Sequence, residues 1–158
     1  MAHKPPSAEV SKQLAHDLGA LFLNFGVLEH TLSRAVAAAT GLSQTQEGIF
    51  VRGMFARAKV QLLQSYAKKH WKEKRRRELD TLAKKVLELV DYRNGFAHGT
   101  ILHDLNGVWN LISFSGGDRF SGRAEPIDLE LLRQRLNEAM DYAEAFDQLA
   151  RHLEHDTD

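Results

Sequence analysis

Asp91-Tyr92-Arg93-Asn94-Gly95-Phe96-Ala97-His98-Gly99-Thr100 is the stretch at which the chain changes its hydrophobic period. Upstream of it, Leu79, Leu82, Val86, Leu87, Leu89 and Val90 recur at helical spacing and predict a helix from about Arg76 to Arg93. Downstream, Thr100 to Leu105 and Val108 to Phe114 alternate with period two on either side of Asn106-Gly107. Asn-Gly between such alternations is a strong β-hairpin signal. The stretch therefore marks the point where a long helix gives way to a hairpin.

Working outward, the N-terminal flank supplies two more helices. Leu14, Leu18, Leu21, Phe22, Phe25, Leu28, Leu32, Val36 and Ala39 step by three or four and form one apolar stripe that ends at Gly41. Gly26 lies within that helix, where a small residue suits close approach of another helix, including one across a dimer. Residues 42–53 read as a mixed connection, and Met54 to Trp71 returns to helical period through Phe55, Val60, Leu62, Leu63 and Tyr66. The segment from Lys68 to Arg77 then carries seven Lys or Arg in ten positions. A charge run of this kind is usually a solvated helix–turn–helix corner. Its functional alternative is an electropositive patch for a nucleic-acid backbone, with Lys68, Lys69, Lys72, Lys74, Arg75 and Arg76 as the contacts and Trp71 either packed or stacked on a base.

The C-terminal flank reads as a flexible loop over Ser115 to Gly122, then a last helix. Asp128 is placed as its N-cap, with Ile127 and Leu132 as a hydrophobic staple, and its stripe runs through Leu136, Met140, Ala143, Phe146, Leu149 and Leu153. The sum is an all-α fold: an up-down bundle of four to five helices with a small β-hairpin insertion near 100–114. A length of 158 residues suits one domain, with 1–8 and 154–158 as loose tails.

Composition narrows the function classes. With 21 basic and 21 acidic residues the formal charge is zero, which argues against a protein that coats nucleic acid nonspecifically but leaves a local patch open. There is no cysteine, hence no thiolate chemistry and no disulfide. No apolar run approaches membrane-spanning length, so a cytoplasmic protein without membrane partners is expected. His152 and His155 have metal-compatible spacing but no third ligand, and neither a metal nor another cofactor is expected.

Arg93, Asn94 and His98 are the candidate chemical groups. Arginine holds phosphate oxygens bidentately and keeps its charge. Histidine accepts and returns protons near neutral pH, as attack by a 2′-hydroxyl and departure of a 5′-oxygen require. Two considerations oppose a site. Residues five apart on an unbroken helix point about 140° away from each other, so a kink at Gly95 is needed to bring Arg93 and His98 together. Arg, Asn, Gly and His also make good C-terminal capping chemistry on their own.

Arg93-Asn94 followed by Ala97-His98-Gly99 resembles the Arg-polar-x-x-x-His signature of the HEPN superfamily of helical bundles, many of which are RNases. The first helix, with Phe25-Gly26-Val27-Leu28-Glu29 and Leu32, resembles the opening helix of that family. The resemblance implies Arg93 and His98 as a catalytic pair with Asn94 in support. It also implies a homodimer whose two motifs share one cleft, RNA as substrate, and cleavage that leaves a cyclic phosphate and a 5′-hydroxyl end without a metal. A small antitoxin or a nucleotidyltransferase is the implied partner, in toxin–antitoxin or phage-defence settings. The hairpin at 100–114 is a departure from the minimal family core. The alternative is a noncatalytic module of the same architecture, serving dimerisation, nucleotide binding or protein interaction.

Overall fold

The structure, a computed structural model, describes residues 5–114 and 122–155. Five helices and a small antiparallel sheet are present: α1 (Ala8–Thr40), α2 (Gln44–Phe50), α3 (Ala56–His70), α4 (Glu73–His98), β1 (Thr100–His103), β2 (Trp109–Phe114), β3 (Gly122–Pro126) and α5 (Leu129–His155).

Local signals explain most of these boundaries. Ser7 caps α1 by accepting from the Val10 N–H, and Gly41 ends it at φ 67°, a left-handed conformation that glycine adopts without strain. Residues 42–53 are more than a connection. Ser43 and Gln46 form a reciprocal capping box that starts α2, where the sequence lacks a full apolar stripe to announce a helix. Asp128 caps α5 as expected, accepting from the Glu130 and Leu131 N–H groups at 2.9 and 3.0 Å.

Cross-helix contacts set the directions. Asp17 meets Arg133, the Asn24 amide donates to the Leu136 carbonyl, and Arg34 meets Asp147, so numbering rises together in α1 and α5 and the two run parallel. Arg57 meets Asp91 and Gln64 meets Asp80, so α3 and α4 are antiparallel. The short α2 is the descending leg that lets α1 and α3 point the same way. Leu21, Phe25, Leu28 and Leu32 of α1, Val60 and Leu63 of α3, Val86 and Leu89 of α4, and Leu132 and Phe146 of α5 fill the centre. Four residues expected on the apolar stripes lie outside it: Phe22 is 37% exposed, Phe55 84%, Leu62 38% and Met140 43%.

The expected hairpin is β1–β2, paired from Thr100↔Ile112 to His103↔Trp109. In its turn Gly107 alone takes a positive φ, of 81°, while the Asp104 carboxylate accepts from the Asn106 and Val108 N–H groups. A third strand, β3, pairs with β2 from Asn110↔Pro126 to Phe114↔Gly122. Its residues Arg123-Ala124-Glu125 carry no apolar alternation, so the sequence gives no strand signal there. The loop expected from Ser115 lies, up to residue 121, outside the described residues.

The junction after α4 decides where the candidate site lies. α4 runs without a break through Gly95 to His98, and the Gly99 N–H closes it on the Gly95 carbonyl at 2.8 Å. Gly99 is extended (φ −84°, ψ 172°) and is not a left-handed cap. Its role is close approach: a β-carbon there would sit 2.5 Å from the Gly95 carbonyl oxygen and 2.6 Å from Leu111. The sheet is seated directly on the end of the helix.

Candidate functional site

An unbroken α4 separates Arg93 from His98. They are about 140° apart around the axis and roughly 7.5 Å apart along it, so no kink at Gly95 brings them into one cleft within a chain. His98 is exposed at the last helical position, outside the cleft that Arg93 lines.

Arg93 is half-buried in a cleft of about 350 Å³ between α1, α3 and the end of α4. Its guanidinium lies over the rings of Phe25 and Phe22, at 4.8 and 5.3 Å from their centroids. Contact with Arg93 accounts for the position of Phe22 at the edge of the core. The Arg93 Nη1 donates to the Asn94 side-chain oxygen at 3.0 Å, while the buried Nε has no hydrogen-bond partner. Among the described residues no carboxylate lies within ion-pair distance of Arg93. Asp91, the nearest acid in sequence, faces Arg57 at 2.7 Å instead. A guanidinium that has left water without a counter-charge is costly unless an anion can reach it.

The other walls of the cleft are not legible from the motif. Glu29, Arg57, Gln61 and Phe55 line it together with Asn94, and Phe55 is 84% exposed at its rim. The first turn of α3 forms one wall, and Phe55 as N-cap makes no side-chain hydrogen bond to it. Uncapped N–H groups at a helix start favour negative charge. Glu29 is half-buried and also lines a second, adjacent cleft between α1 and α3. There Lys59 is 2% exposed and donates to the Glu29 backbone carbonyl at 3.3 Å. Burial pushes the Lys59 ammonium pKa down, against the opposing pull of Glu29 and Glu47. Lys59 falls one position before Val60, and a lysine beside the apolar stripe is the one sequence signal that points to this burial. Gly26 borders this second cleft, and among the described residues no helix is packed on it.

The basic run lies at the other end of α4. Arg75 and Arg93 are eighteen residues apart on one helix, about 27 Å along the axis, so the run does not flank the Arg93 cleft. Lys68 and Lys69 occupy the last turn of α3, where the helix dipole welcomes cations, and Lys72, Lys74, Arg75 and Arg76 open α4, where it opposes them. Among the described residues no group of three or more His, Cys, Asp or Glu side chains is placed to hold a metal, and no helix is long and apolar enough to cross a membrane. No family model, curated protein or solved structure matches the chain.

Proposed function

We propose that the chain is a metal-independent endoribonuclease of HEPN type, with a site completed by two copies. The observation that carries this reading is the Arg93 guanidinium: half-buried, stacked on Phe25, without a carboxylate partner among the described residues, and open to a cleft. Such a group is built to receive an oxyanion, and a phosphodiester is the anion for which a nearby imidazole is useful. His98 is exposed and nearly one and a half helical turns further on, so it reaches solvent while pointing away from its own Arg93. A second copy placed against this end of α4 supplies the missing half.

In that arrangement Arg93 and Asn94 hold the phosphate oxygens. His98 removes the 2′-hydroxyl proton, the 2′-oxygen attacks phosphorus, and the P–O5′ bond breaks. The departing 5′-oxygen takes that proton back from the imidazolium, which leaves a cyclic phosphate and a 5′-hydroxyl.

The test is complementation. Single-stranded RNA is incubated in EDTA with wild type, Arg93→Ala, His98→Ala and an equilibrated mixture of the two variants. Cleavage by wild type, loss in each variant and partial recovery in the mixture are expected, because mixed dimers retain one arginine and one histidine. A mixture as inactive as its parts places both groups in one chain, and equal cleavage by all four samples removes the assignment.

The unbroken α4 favours a second reading: the Arg93 cleft binds an anion and no chemistry follows. RNA binding that disappears in Arg93→Ala, with no cleavage by any sample, is its signature.

A further inference from the structure

The basic corner borders an open cavity of about 760 Å³, larger than the cleft at Arg93. We infer that this cavity takes an unstacked nucleobase of single-stranded RNA, with its phosphates on the surrounding lysines. The inference rests on RNA being the ligand of the Arg93 cleft, but it fails or stands separately.

The floor is apolar. Leu79 and Leu82 of α4 and Leu149 of α5 form it, and Leu79 is 4% exposed. One wall is Trp71, half-buried and held edge-on by Tyr66, with the Arg75 guanidinium 4.5 Å over its ring. Lys72 and Lys74 stand exposed at the rim, and Glu78 is the single carboxylate among the lining residues. A ligand complementary to this site has a flat, weakly polar body and an anionic tether. An aromatic base stacks on indole and guanidinium planes alike, and its phosphates pair with the ammonium groups. A duplex keeps its bases inside and presents phosphate alone, which leaves the floor and the Trp71–Arg75 wall unused.

The placement of the cations supports a ligand over a merely solvated corner. Lys72 is the N-cap of α4 and makes no side-chain capping bond, and Lys74, Arg75 and Arg76 follow in its first turn. The start of a helix repels cations. Helix electrostatics therefore supplies no reason for four of them here, whereas an anion drawn to the corner is attracted by both the side chains and the helix end.

The experiment is fluorescence anisotropy with labelled 12-mers, a single-stranded oligouridylate and a duplex RNA. The proteins carry His98→Ala to suppress turnover, alone or combined with Trp71→Ala or with Lys72→Glu and Lys74→Glu. At least tenfold weaker single-strand binding in Trp71→Ala, with duplex binding unchanged, is expected. The charge-reversed variant loses both. Equal weakening of both RNAs in Trp71→Ala, or no weakening of either, overturns the base site and leaves an electrostatic patch. Binding of a labelled polyglutamate peptide in place of RNA overturns it in favour of an acidic protein partner.

Trp71 packs on Tyr66, so a second measurement avoids reliance on a foldable Trp71→Ala. In Trp109→Phe, Trp71 is the remaining tryptophan, and saturable quenching by the oligouridylate but not by the duplex is expected; no quenching by either overturns the proposal. Quenching without cleavage by the wild type sinks the nuclease alone, and cleavage that needs His98 with no Trp71 effect sinks the base site alone.

Discussion

The two ends of α4 both carry basic side chains, and they mean different things. At the C-terminal end His98 sits where the helix dipole favours positive charge, and a Gly99-to-Gly95 hydrogen bond closes the helix. Capping therefore explains much of that composition, and what it leaves unexplained is Arg93, half-buried over Phe25 with no carboxylate within ion-pair distance among the described residues. At the N-terminal end Lys72, Lys74, Arg75 and Arg76 oppose the dipole, at about 0.3–1 kcal/mol for each exposed group, and Glu73 alone complements it. Charge alone is a weak functional signal. Charge held against its own local electrostatics is a stronger one, and each end of α4 offers an instance.

The largest expected effect separates the ends by chemistry. Under the nuclease reading, His98→Ala lowers single-turnover RNA cleavage by about 10²–10⁴-fold with little change in RNA affinity, as removal of a general base does. Lys72→Glu with Lys74→Glu does the reverse. Affinity falls, and the slope of log K against log salt becomes shallower by about 0.7 for each phosphate that is no longer neutralised, measured by anisotropy across salt concentrations. Identical effects on rate and affinity at both ends would break the comparison.

Stability tests sharpen the C-terminal end. Gly99→Ala forces a β-carbon into backbone 2.5 Å away and is expected to destabilise the fold by about 1–3 kcal/mol, read by urea unfolding. Gly95→Ala meets only Leu111, at an ordinary 3.5 Å, and gains about 1 kcal/mol of helix propensity, so it is expected to be neutral or stabilising. If both glycines respond alike, the sheet does not dock as described.

The smallest effect concerns Lys59. Its pKa is lowered by burial, so between that value and the unfolded value of about 10.4 the unfolded chain binds more protons, and stability rises with pH through that window. Lys59→Met removes this rise. Urea unfolding of both proteins at pH 7 and pH 9.5 checks it, and equal slopes would place Lys59 in contact with water.

The helical bundle and the first hairpin are legible in the sequence because they rest on periodicity. The stripes of α1, α4 and α5 and the Asn106-Gly107 turn are local patterns with local causes. Two elements are not legible. α2 depends on a capping box at Ser43 and Gln46 in place of an apolar stripe, and β3 is an edge strand whose pattern is set by pairing with β2. Phe22 and Met140 fall on the expected stripes yet outside the core, because spacing gives a helical face but not the width of what packs against it.

For the candidate site, the sequence by itself determined which groups are present: a guanidinium, an amide and an imidazole within six residues, and a cationic run upstream. Tertiary structure alone decided their relation. It kept α4 straight through Gly95, so Arg93 and His98 diverge, and placed the basic run about 27 Å from Arg93. It also brought Glu29, Arg57 and Gln61 to the Arg93 cleft from other helices. Side-chain chemistry is carried by each residue alone, whereas the company a residue keeps depends on packing between segments distant in sequence, which no local pattern encodes.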